Sequence, residues 1–164
     1  MKDIFKTRIY GKKVDIDSGA VMKLYNDRSN KNGSRPIDAP TVLCSDTNID
    51  NIEQWTSEEV DRWFPLFNLN DESVVLEIGF GTGRMSKYII PAAKEYVGID
   101  YAENLWNTAK SRNDIEKKKN TQLLNISLEQ FLEEYQDILR ENLIVFFCRA
   151  ECLCISMITR CKAV

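Results

Sequence analysis

Glu77, the turn Gly79-Phe-Gly-Thr-Gly83 and Asp100 are the residues whose types and spacing could do chemistry in this 164-residue chain. Glycines at three alternate positions permit positive φ and remove Cβ atoms, so backbone can lie directly against a ligand. Asp100 stands 21 residues after Gly79. A carboxylate that closes the next strand at that spacing can accept two hydrogen bonds from a ribose diol. Glu77, two residues before Gly79, adds a second acid at the end of the first strand.

These acids discriminate among nucleoside ligands. A dinucleotide fingerprint wants a small residue three positions after Gly81, and this chain has Arg84 there. Its third glycine is Gly83 instead, and Glu77 would repel a pyrophosphate. S-adenosylmethionine (SAM) carries no phosphate. It bears a cationic sulfonium and a cationic α-amino group, which suit an acid at the strand end. A nicotinamide-dependent oxidoreductase is therefore disfavoured. The chain contains no histidine, which removes the commonest general base and the commonest metal ligand. Proton transfer would fall to Asp, Glu, Lys, Tyr or Cys, and the sequence names no catalytic base.

The elements that must position these residues follow from periodicity. Residues 73–79 form a β-branched run that reads as a buried strand. Arg84–Lys94 has helical spacing, with Met85, Tyr88, Ile89 and Ala92 on one face and Pro91 disturbing its second half. Tyr96–Asp100 is a second strand and Ala102–Lys119 an amphipathic helix. Gln122–Ile126 is a third strand, Leu128–Leu139 a third helix, and Asn142–Cys148 a fourth strand. This alternation predicts βαβ units and a parallel sheet, ordered third, second, first, fourth if the chain reverses once. A ligand then sits beyond the carboxyl ends of the strands where the order reverses, which is at Gly79–Gly83. Upstream, Thr56-Ser-Glu-Glu59 reads as a capped helix start, followed by the apolar face Val60, Trp63, Phe64 and Phe67 with Pro65 closing or kinking it. A short helix is expected around Ser18–Tyr25, and the turn formers of Asn26–Pro40 read as loop.

Val75-Leu-Glu-Ile-Gly-Phe-Gly-Thr-Gly-Arg84 closely resembles the first motif of the class I SAM-dependent methyltransferases. Val97-Gly-Ile-Asp-Tyr-Ala-Glu-Asn104 resembles the segment that follows it, and residues 85–96 resemble the linking helix. The resemblance covers about residues 60–147. It implies an α/β fold, a Rossmann-like parallel sheet flanked by helices, here partial with about four strands and preceded by an N-terminal helical and loop cap. It implies SAM as cofactor, with Gly79, Gly81, Thr82 and Gly83 around the methionine part and Glu77 near its amino end, directly or through water. Asp100 would hold the ribose hydroxyls, and Tyr101 or Ala102 would lie beside the adenine. The acid that the family often carries after the third strand is missing. Asn125 or Ser127 would substitute.

The resemblance divides the chain into a cap (residues 1–54), a SAM-binding domain (55–147) and a cysteine-rich tail (148–164) holding Cys148, Cys152, Cys154 and Cys161. The tail reads as the truncated or frameshifted end of a longer enzyme. Two other readings are a short variant that completes its sheet by dimerisation and a zinc site. The cysteine spacing and the lack of histidine speak against zinc, so no metal is expected. An uncovered fourth strand would be a pairing surface, which predicts a homodimer through the open sheet edge. A monodisperse monomer in light scattering would count against that.

The remaining expectations concern the acceptor. A net charge of -3 gives no electrostatic reason for nucleic acid or an anionic membrane as partner. Neither Asp-Pro-Pro-Tyr nor Asn-Pro-Pro-Tyr occurs, and no Pro-Cys motif follows the fourth strand. These absences argue against amino-methylating DNA enzymes and cysteine-dependent cytosine enzymes. With no secretory leader and no apolar run long enough to span a bilayer, the expected location is cytoplasmic. The expected reaction is methyl transfer to a small-molecule acceptor: a metabolite, sugar or natural product. Tyr25, Asp27, Arg28 and Arg35 of the cap are the polar candidates to hold it, the arginines suiting a phosphate or carboxylate. The alternative is a non-catalytic protein that binds SAM or serves as an interaction module.

Overall fold

The computed structural model describes residues 18–30, 49–115, 119–135, 143–147 and 158–159. In chain order the elements are α1 (Ser18–Asn30), α2 (Ile49–Phe67), β1 (Val74–Ile78), α3 (Ser86–Ala92), β2 (Glu95–Ile99), α4 (Glu103–Ser111), β3 (Thr121–Leu124), α5 (Leu128–Glu134), β4 (Leu143–Phe147) and β5 (Ile158–Thr159). The sheet runs β3-β2-β1-β4-β5. Its first four strands are parallel, with Leu76 opposite Val97 on one side and Val145 on the other. The expected single reversal is present: the chain winds from β1 out to β3, then returns to add β4 against β1.

Side-chain alternation along the strands builds two cores, one on each face. Val75 and Tyr96 pack with Phe67 of α2, Ile89 and Ile90 of α3, and Ala109 of α4. Their neighbours Leu76, Val97, Leu143 and Val145 face the other way, against Phe131 of α5. A helix–sheet–helix sandwich results, and the carboxyl ends of the strands stay together at one end of it.

Several helix boundaries differ from the sequence reading, each for a local reason. α2 begins seven residues before Thr56, and the proposed division at residue 54 falls inside it. Thr56 is not a cap. It is 2% exposed, and its hydroxyl donates to the carbonyl of Ile52 one turn back, 2.6 Å away. That back-bond satisfies a hydroxyl inside a helix. Asn68, with φ at 49°, closes α2 in the left-handed conformation that asparagine tolerates. α4 stops at Ser111 rather than running to Lys119, because Arg112 is extended (ψ 139°). α5 starts where expected under a capping box: Ser127 accepts from the amide of Gln130, whose side chain accepts the Ser127 amide. α1 runs on to Asn30, through residues read as loop.

The edge expected to be bare is partly paired. β5 adds antiparallel to β4, with Ile144 opposite Thr159 and Val145 opposite Ile158. Two paired residues reduce the length of β4 available to a second copy. Apart from Ile158 and Thr159, the residues of 148–164, the tail cysteines among them, lie outside the described residues, as does Arg35.

Candidate functional site

The turn after β1 holds three glycines at positive φ: Gly79 at 74°, Gly81 at 60° and Gly83 at 81°. A side chain at any of them would be strained. The chain leaves β1 through a bond from the Gly79 amide to the Ile99 carbonyl, 2.8 Å, and folds back so that the Gly83 amide reaches the Phe80 carbonyl at 2.9 Å. Gly83 has a packing role as well. A Cβ on it would lie 2.4 Å from Cδ1 of Ile115 and 3.4 Å from Cβ of Ala109. It lets α4 and the segment beyond close against the turn.

Asp100 meets that turn directly. Its Oδ2 accepts the Gly81 amide at 2.8 Å and its Oδ1 accepts the Ala102 amide at 2.8 Å. The side chain is 6% exposed. Burial pushes the Asp100 carboxyl above the ordinary carboxylate value, while the amides of Ala102 and Gly81 pull it back. A carboxylate has about four lone-pair positions, so the two amides leave about two for a diol. Behind it, Asn125 Nδ2 donates to the backbone carbonyl of Asp100 at 2.8 Å.

Glu77 is wholly buried. Its Oε2 accepts from the Tyr96 hydroxyl at 2.5 Å and from the Ser86 hydroxyl at 2.8 Å, and those two hydroxyl oxygens are 2.9 Å apart. The acid of β1, a tyrosine of β2 and the first residue of α3 thus form one polar knot in the interior. Only Glu77 of these three was singled out from the sequence. Ser86 and Tyr96 were missed because a serine and a strand tyrosine carry no distinguishing spacing.

Two arginines near the turn are committed to acids. Arg84 Nη1 lies 2.5 Å from Glu59 Oε2 and 2.9 Å from the Thr56 hydroxyl, which ties the turn to α2. Arg112 is paired with Asp114 and donates from Nη1 to the carbonyl of the buried Thr82 at 3.2 Å. The Arg112 guanidinium holds the Asp114 carboxyl below its ordinary value. Asp114 is two residues from Arg112, but Glu59 and the Thr82 carbonyl could not be read from the sequence as partners, because they lie 25 and 30 residues away.

Tyr101 follows Asp100 and is half-buried. Burial, then Tyr25 and Asp100, raise its phenol above the ordinary value. α1 reaches the start of α4, just after Tyr101, through the bond from the Asn104 amide to Asn26 Oδ1. Ser127 spends its hydroxyl on the α5 cap. Asp27 is exposed, and nothing is described of the Arg28 side chain.

Known proteins share this arrangement of strands and helices. The model of a family described as "Methyltransferase domain" matches residues 76–160. No curated protein matches the chain. A SAM-dependent methyltransferase from Anabaena variabilis ATCC 29413 superposes with a TM-score of 0.54 at 19% identity, over 83% of this chain and 50% of that one. The DhpI–SAM–HEP complex superposes with a TM-score of 0.50 at 14% identity, over 82% of this chain and 67% of that one. At such identities the likeness is one of fold. The chain spans half the length of the Anabaena structure. Among the described residues, no helix is long and apolar enough to cross a membrane.

Proposed function

The chain belongs to the methyltransferase-domain family, and from that premise we propose that it binds SAM and transfers the methyl group to a small-molecule acceptor. The observation that carries this is the Asp100 carboxylate, fixed by the amides of Gly81 and Ala102 at the point where the strand order reverses.

The donor set fits the cofactor. The site has an acid at its centre, a second acid in the interior behind β1, and glycine backbone that accepts close approach. Its two nearby arginines are engaged by Glu59 and Asp114. A pyrophosphate would find no uncommitted cation among these groups. A sulfonium and an ammonium would find negative charge. In this reading Gly79 and Gly81 present backbone to the methionine part, and Thr82 and Gly83 shape the turn. The remaining lone pairs of Asp100 take the ribose hydroxyls, and Tyr101 lies beside the adenine. Glu77 contributes charge from the interior through its place behind the turn. Bound there, SAM supplies an electrophilic methyl, and the protein supplies alignment for an in-line displacement.

A small acceptor is favoured by the acidic balance of the chain, net charge -3, which gives no net electrostatic attraction for a polyanion. The DhpI structure of the same fold is a complex with SAM and a further component, HEP. A cytoplasmic setting belongs to the same proposal. The test is S-adenosylhomocysteine formation in the presence of panels of small hydroxy, amino, phosphonate and carboxylate acceptors, with bulk tRNA as a separate arm. Turnover with a small acceptor, abolished by Asp100→Asn, is the expected result. Turnover with tRNA alone would contradict the acceptor class.

A further inference from the structure

We infer that α1 belongs to the nucleoside end of the site: Asn26 caps α4 from 78 residues upstream and so acts as a positioning residue for Asp100. This rests on the reading of Asp100 as the ribose-binding acid.

The need for such a cap follows from the sequence of α4. The first amides of a helix have no partner within it. A side-chain oxygen at the N-cap ordinarily accepts the amide of the second or third helical residue. Here the N-cap is Ala102, whose methyl can accept nothing, and no local side-chain cap is present. The second helical residue is Asn104. Its amide donates to Asn26 Oδ1 of α1 at 3.0 Å, and its side-chain Nδ2 donates to the Asn26 carbonyl at 3.1 Å. The capping oxygen that α4 lacks locally is supplied by another helix, and a second bond doubles the link.

The same helix start is bonded to the site. Ala102 gives its own amide to Asp100 Oδ1. Asn26 and Asp100 therefore hold one turn of chain, residues 102–104, from two sides. Loss of Asn26 lets that turn fray and loosens one of the two bonds that orient the carboxylate. The other bond, from Gly81, remains. Asn104, which Asn26 holds, follows Tyr101, the residue expected at the adenine, by three positions. Met22 is 41% exposed and Leu24 55%, so these two apolar side chains add little to the docking of α1, to which the asparagine pair contributes two hydrogen bonds.

The experiment uses the full chain with Asn26→Ala and Asn26→Asp. The aspartate keeps an oxygen for the Asn104 amide and adds a charge favourable at a helix N-terminus. Amide exchange at Asn104 is measured on the ligand-free protein, and SAM affinity by calorimetry. Asn26→Ala is expected to speed exchange at Asn104 about tenfold, equivalent to about 1.4 kcal/mol and within the range of a lost cap. It is expected to weaken SAM binding about threefold or more, and Asn26→Asp to restore both. Unchanged exchange in Asn26→Ala overturns the cap. Faster exchange with unchanged SAM affinity overturns the positioning role. A wild-type chain that shows Asn26-dependent protection yet does not bind SAM overturns the cofactor reading beneath that role and leaves the cap standing.

Discussion

At the residue scale, Asp100 is the group on which the most depends, because each of its oxygens already accepts a backbone amide. Asp100→Asn must therefore set an NH2 group against a backbone N–H in either orientation. The expected cost is about 1–3 kcal/mol, read by urea unfolding, because a buried donor is left facing a donor. Gly83 gives a second residue-scale test. Gly83→Ala forces a β-carbon toward Cδ1 of Ile115 at positive φ, for an expected cost of about 2 kcal/mol. In an Ile115→Val background, which removes that methyl, the same substitution should cost less; equal costs would show that φ strain alone is responsible. A third test is pH. Asp114 has a folded pKa below its ordinary value of 3.8, because Arg112 stabilises its ionised form. Its contribution is present above 3.8 and is lost as the pH falls through the lower folded value. Asp114 is 53% exposed, so solvent screens the effect to roughly a few tenths of a kcal/mol. The difference in stability between wild type and Asp114→Asn should shrink on acidification below that range. A difference that is flat with pH would count against the ion pair.

At the scale of elements, the glycine turn and its flanking strands were legible because β-branched runs bounded by glycines admit few readings. Val74–Ile78 and Glu95–Ile99 fall within a residue of the expected strands. Helix ends were less legible. Thr56 followed by acids is the same local signal at a helix start and within a helix, and what decides between them is the burial of Ile52, one turn earlier. The stop at Ser111 was hidden for a similar reason, since the pull on Arg112 comes from Asp114 and from the distant Thr82 carbonyl. Glu77 shows the same limit at the site. Its type and position were readable, but its partners Ser86 and Tyr96 arrive only with the fold. The link between α2 and the turn can be measured. A double-mutant cycle of Arg84→Met with Glu59→Gln should give a coupling of about 1 kcal/mol, since both side chains are mostly buried, at 12% and 16% exposure. A coupling near zero would mean that α2 docks through its apolar face alone.

At the scale of the whole molecule, a single reversal in the strand order brings together Gly79–Gly83 and Asp100, and the order itself followed from the alternation of strands and helices. The pairing of Ile158–Thr159 on β4 did not, because the tail carries no period-two pattern to mark a strand. That pairing bears on association. Ile158→Pro removes a backbone donor and disfavours the ladder, so it should raise the fraction of dimer or larger species in light scattering. If wild type and variant associate alike, the outer edge of β4 is not what limits self-pairing. The placement of α1 beside α4 was also beyond the sequence, since Asn26 and Asn104 are ordinary residues until the fold sets them 3.0 Å apart.

Whether the glycine turn held by Asp100 receives SAM is decided by calorimetric titration of SAM into the purified chain, with NAD as the competing nucleoside and Asp100→Asn as control. Saturable SAM binding is expected, with no saturable heat from NAD. The affinity should be at least about tenfold weaker in a folded Asp100→Asn variant, the equivalent of one lost charge-assisted hydrogen bond. A folded wild-type chain that ignores SAM, or that takes up NAD in its place, would refute the cofactor assignment.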